Sequence, residues 1–207
     1  MTKLPEPEDL QMLRHRFSRT TEMWVAYNTF LNREVLVGND KTCLNDIIVF
    51  QTTHTLLIAY YSFIFSLFDP SAVNFKNITE KILPHLPPDA HEARSLVLEQ
   101  WGKIEKPITI IRNTIGFHHS AKQKGASTGY QNYGNIHPLS TELIMQALRV
   151  FFRQVDGVFE SSEPYGVAPV EDDTVALMEQ VRRLKEYIVE NPHEEVFKSL
   201  RTLLGNF

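Results

Sequence analysis

The sequence predicts an all-α protein: an antiparallel helical bundle, residues 1–160, with a linker and a helical C-terminal extension over 161–207 that packs on the bundle or on a partner. Three observations predict this class. Apolar residues recur at three- and four-residue spacing along most of the chain. Capping residues or prolines stand just ahead of these stretches. No stretch alternates apolar and polar residues as a half-buried strand would, and there is no internal repeat or low-complexity segment.

The elements follow in order. Pro5 and Pro7 introduce a first helix from about Asp9 to Leu36, with Glu8 and Asp9 favourably placed at its N-terminus. Leu10, Leu13, Phe17, Trp24, Tyr27, Phe30 and Leu31 form its apolar stripe. Arg14, His15, Arg16 and Arg19 are read either as a solvated face or as an RNA contact. Gly38-Asn39-Asp40 breaks the helix. Thr42 can cap a second helix, Cys43 to Phe68, whose second half is apolar on nearly every side and so belongs in the centre or in a subunit interface. His54, midway along it, either orients a catalytic group or packs in the core or interface.

Asn77 is the expected cap of a short helix to about Leu83. Pro84, Pro87 and Pro88 break the chain, and Asp89 is the expected cap of a helix running from Ala90 toward His118. Pro107 should kink that helix or split it in two. Leu96, Trp101, Ile104, Ile108, Ile111 and Ile115 are its core positions. Ser120–Pro138 reads as a long glycine-containing loop, and Ser140 as the cap of a helix from Thr141 to Phe159. After the linker 161–170, acidic Glu171–Asp173 opens a helix to about Val189, and Asn191-Pro192 starts a last short one.

Composition bounds the function. Hydrophobic content of 43% and charged content of 22% are ordinary for a globular chain, which argues against wholesale disorder. A net charge of −4 gives no global attraction to nucleic acid, so any such contact must come from a local basic patch. Cys43 is the only cysteine, which excludes an intramolecular disulfide and fits a reducing cytoplasm. Polar, acidic Met1–Asp9 is unlike a signal peptide, and the apolar run Leu56–Phe68 is too short to span a bilayer.

The stretch that carries chemistry is Ile108–Ser120, an apolar helix that delivers Arg112, Asn113, His118 and His119 near its C-terminal end. A guanidinium suits a phosphate, and an imidazole suits proton transfer near neutral pH. Gly116 loosens the helix before the histidines. The following segment interleaves Lys122 and Lys124 with Tyr130 and Tyr133, which suits single-stranded nucleic acid or else a plain surface loop. His118, His119 and His137 do not match a recognised metal-ligand spacing, and no metal or cofactor is expected.

The segment Arg112-Asn113-Thr114-Ile115-Gly116-Phe117-His118 resembles the Arg-x(4–6)-His motif of the HEPN superfamily, helical-bundle proteins in which Asn often follows the arginine. The apolar second helix ending in Leu67-Phe68-Asp69, with the motif late in a long third helix, is similar to the abortive-infection and toxin-type branch. The likeness covers roughly Trp24–Phe159. It implies a metal-independent endoribonuclease of toxin or phage-defence type. Arg112, Asn113 and His118 would be catalytic, with His119 as an allowed spacing variant. Lys122, Lys124 and Tyr130 are the candidate RNA-binding residues by the interleaving of basic and aromatic side chains. The likeness also implies a homodimer with a composite site, and an antitoxin or defence protein as a further partner. The alternative is a non-catalytic helical module that binds a partner protein or a nucleotide. In that case Arg112 pairs on the helix surface, and the histidines stabilise the helix C-terminus through its dipole.

Overall fold

A computed structural model describes residues 3–31, 46–116, 125–160 and 173–192. Among these residues the chain is an all-α bundle. Its helices are α1 (Glu8–Leu31), α2 (Asp46–Phe68), α3 (Phe75–Ile82), α4 (Pro88–Thr114), α5 (Gly125–Tyr133), α6 (Ser140–Val158) and α7 (Thr174–Glu190). A 3-10 turn, Leu83–His85, joins α3 to α4.

The apolar stripes meet in one core. α6 lies at its centre and buries Leu143, Ile144, Leu148, Phe151, Phe152 and Val155. α4 faces it with Leu96, Trp101, Ile104, Ile108 and Ile111, five of the six expected core positions; Ile115 is only partly buried. Inside this interface the Gln100 amide donates to the Ser140 hydroxyl at 2.7 Å, so each of these buried polar groups has a partner. α1 runs antiparallel to α6, because Arg14, Phe17 and Trp24 meet Asp156, Phe152 and Glu142 in descending order. It runs antiparallel to α2 by the same test: Arg16, Thr20 and Tyr27 meet Ser66, Phe63 and Tyr60. α7 buries Leu177, Met178 and Val181, and pairs with α4 through Arg182–Glu92 and Lys185–Glu99.

Several local expectations are corrected. The cap of α3 is Asn74, whose side chain accepts from the Asn77 N–H at 3.0 Å, so the helix begins one turn before the expected cap. α4 starts at Pro88 with Pro87 as N-cap, and Asp89 sits inside its first turn. Pro107 does not split α4. Its ring is buried, while Lys103, whose carbonyl loses its usual partner, is on the exposed side where water can replace it. Ser140 is already helical and its hydroxyl serves Gln100; Leu139 is the N-cap.

Phe159 is not the last helical residue but the start of a strand, Phe159–Glu160 (β2), paired in parallel with Leu4–Pro5 (β1). The expectation of no strand fails here because two residues are too short to show alternation. Two arginines of the basic cluster on α1 are tied to distant parts of the chain, and Arg19 stays on the surface. Arg14 is clamped between Glu6 and Asp156, Arg16 donates to the Ser66 and Val73 carbonyls, and Arg19 pairs with Glu22. No described helix is long and apolar enough to cross a membrane.

Candidate functional site

The end of α4 is built by the residues that stop it. The Ile115 and Gly116 N–H groups both donate to the Ile111 carbonyl, at 3.0 and 3.1 Å. A Cβ on Gly116 would lie 2.6 Å from the Arg112 carbonyl oxygen, so only glycine fits this ending without a shift. The regular helix closes at Thr114, ahead of the two histidines in sequence. His118, His119, Lys122, Lys124 and Cys43 lie outside the described residues.

Arg112 sits in the last turn of α4, where a cation is favourable at the negative end of the helix. Its guanidinium carbon lies 4.4 Å from the centroid of the Phe65 ring on α2, a cation–π contact. Among the described residues it makes no hydrogen bond or ion pair, although it is partly buried. The Asn113 side chain, partly buried beside it, likewise makes no hydrogen bond among them. Asp69, just after α2, is held below the usual carboxylate range. Hydrogen bonds from the Ser71 hydroxyl and N–H do most of this, and the Arg112 and Arg16 charges add to it.

Contrary to the expected loop, Gly125–Tyr133 is helical, the element α5. It is docked on the end of α4 through Gly129, which meets the Thr114 side chain and, at 3.2 Å from a notional Cβ, both branches of Ile115. The Thr114 hydroxyl donates back to the Ile110 carbonyl at 2.7 Å, so the contact surface is rigid. Tyr130 follows Gly129 directly on this docked helix, whose contact with α4 is at Thr114 and Ile115.

Tyr130 then stacks on His54 of α2, with ring centroids 5.7 Å apart and planes 19° from parallel. Tyr133 closes the group: its hydroxyl is 3.5 Å from His54 Nε2, and its ring contacts buried Tyr61. Burial raises the Tyr133 and Tyr61 hydroxyls above the ordinary tyrosine range, so both remain protonated donors.

The structure thus sets Phe65 against Arg112, and His54 and Tyr133 around Tyr130; the two groups share α2, on which His54 and Phe65 stand three turns, about 16 Å, apart. Of these partners only Phe65 was absent from the candidates named from the sequence. One signal was present: Tyr130 and Tyr133 stand three residues apart, the spacing of one helical face. His137 is separate. It is buried, accepts from the Leu139 N–H on Nδ1, and lies 3.1 Å through Nε2 from the Asn191 carbonyl, ties that fix the α5–α6 turn to the end of α7. Among the described residues, no three of His, Cys, Asp or Glu converge as a metal site would require. Compared with protein-family models, curated proteins and solved structures, the chain matches none.

Proposed function

We propose that the protein is a metal-independent endoribonuclease of HEPN type, acting as a toxin or phage-defence effector. One observation carries the reading. Arg112 is partly buried, oriented by Phe65, and has no hydrogen bond or ion pair among the described residues, at the helix end just before His118 and His119. An arginine prepared in this way suits a phosphate, whose oxygens match its fork of donors.

The chemistry follows from these groups. The ribose 2′-oxygen attacks the adjacent phosphorus while an imidazole, His118 or His119, takes its proton. The bond from phosphorus to the 5′-oxygen breaks, and a second imidazole returns a proton to that leaving oxygen. The products are a 2′,3′-cyclic phosphate and a 5′-hydroxyl. Arg112 offsets the charge that builds on the phosphoryl oxygens, and Asn113 orients the phosphate or the imidazole. In a homodimer with a shared cleft, symmetry-related histidines take the two proton roles. Lys122, Lys124 and Tyr130 hold the strand. DNA is inert to cleavage because it lacks the 2′-hydroxyl.

The competing reading is a non-catalytic helical module, and the same Phe65 contact favours it, since a guanidinium on an aromatic ring is also a stabilising surface feature. Incubation with RNA in excess chelator separates the two. The wild-type chain should cleave, Arg112→Ala should lose about 100-fold or more in rate, and His118→Ala/His119→Ala should be inactive. Cleavage unchanged in every variant, or absent from the wild type, overturns the ribonuclease reading.

A further inference from the structure

Beside the phosphate-binding end of α4 lies an aromatic surface that the cleavage chemistry does not use. Tyr130 has one ring face on His54 and is 53% exposed, slightly more than Tyr187 at 49%. A ring placed there only to fill the α2–α5 junction would be covered as Tyr61 is, at 7% exposed. Tyr130 is instead supported from beneath. His54 backs it, Tyr133 holds His54 at 3.5 Å through its hydroxyl, and Tyr61 backs Tyr133 with ring centroids 5.9 Å apart. The support is rooted in two helices, and Gly129 ties the whole of α5 to the helix end that bears Arg112.

We infer that Tyr130, backed by His54 and Tyr133, is a stacking subsite for one unpaired nucleobase of the RNA strand whose phosphate Arg112 holds. The choice of RNA as occupant rests on the ribonuclease reading. The subsite makes the protein select single-stranded over duplex substrate, because a base inside a duplex has no free face to offer. Stacking reads the π-face common to all bases, so it sets strandedness and not sequence. Tyr130 is then a binding residue, whereas His54 and Tyr133 are positioning residues that keep its ring presented.

The test uses the full chain and a dye-labelled single-stranded DNA oligonucleotide, which can stack but cannot be cleaved, beside the matching duplex. Fluorescence anisotropy should show at least ten-fold tighter binding of the single strand. Tyr130→Ala should weaken it by about 5- to 100-fold, Tyr130→Trp should restore it, and His54→Ala should fall between. Arg112→Ala should lower the salt dependence of binding, which Tyr130→Ala should leave intact. Thermal melts establish that the variants fold, and Tyr130 is exposed enough for its truncation to be tolerated.

In RNA cleavage, Tyr130→Ala should raise KM more than it lowers kcat. Wild-type affinity in Tyr130→Ala, or equal affinity for strand and duplex, overturns the subsite even if RNA is cleaved. Binding of the single strand through Tyr130 without any RNA cleavage keeps the subsite and removes the ribonuclease reading. No binding and no cleavage removes both.

Discussion

At the scale of single residues, two glycines decide where the candidate site stands. Gly116 ends α4 within reach of the Arg112 carbonyl, and Gly129 lets α5 lie against Thr114 and Ile115. In an exposed helix, replacing glycine by alanine stabilises the chain by up to about 1 kcal/mol. At Gly129 the sign reverses, because the new methyl group meets a Thr114 side chain held by its bond to the Ile110 carbonyl. Gly129→Ala should cost about 1–3 kcal/mol of stability, as overpacking does. Chemical denaturation measures it. Adding Thr114→Ala should recover part of the loss, and a purely additive double mutant would show that the two residues do not meet. The same substitution should weaken binding of single-stranded nucleic acid, since it displaces Tyr130 from the end of α4.

At the scale of elements, α5 and α7 show what periodicity alone does not reveal. Ser120–Pro138 carries several glycines and little apolar surface, and single-sequence reasoning assigns it to a loop. The nine residues of α5 are too few for an isolated helix in water. Packing on α4 and the Tyr130–His54–Tyr133 group supply the missing stabilisation. α7 is attached by a short apolar face and by two ion pairs to α4. The Glu92 carboxyl is lowered below its usual value of 4.5 by hydrogen bonds from Arg182. Glu99 is lowered by Lys103 and then by Lys185.

The unfolded chain therefore binds these protons more readily. The pairs stabilise fully above about pH 4.5 and lose their effect as pH falls through the folded-state values. These partners are exposed and screened by solvent, so Arg182→Gln should cost little stability at neutral pH. Amide exchange in α7 relative to α6 should rise in the wild type as pH falls below about 4.5, and this acid-dependent rise should shrink in the variant. A pH response in Arg182→Gln equal to that of the wild type would assign the acid sensitivity to other carboxylates.

At the scale of the whole molecule, the question is what faces α2. Ile58, Ser62 and Phe65 are only partly buried in the single chain, at helical spacing, and Phe65 carries Arg112. The composite-site reading expects a second copy to bring its own helix end to the same cleft. Sedimentation should then give a dimer, and Ile58→Asp should shift it toward monomer and reduce RNA cleavage together. A monomer that cleaves RNA at the wild-type rate would show that one chain is sufficient.

The sequence by itself determined the class of the fold, the ends of most helices to within a turn, and five of the six core positions named on α4. These depend on local spacing and on capping chemistry, which a single chain displays openly. Arg112 and Asn113 were legible as a pair for the same reason, being neighbours in one helix. Only the tertiary structure decided that Phe65 lies under the guanidinium, that α5 is a helix, and that His54 backs Tyr130. It also decided that Arg14 and Arg16 of α1 are tied into the fold, and that Leu4–Pro5 finds Phe159–Glu160. Each of these joins residues far apart in the chain. Such contacts form where burial and side-chain shape outweigh weak local preference, and no spacing rule records them.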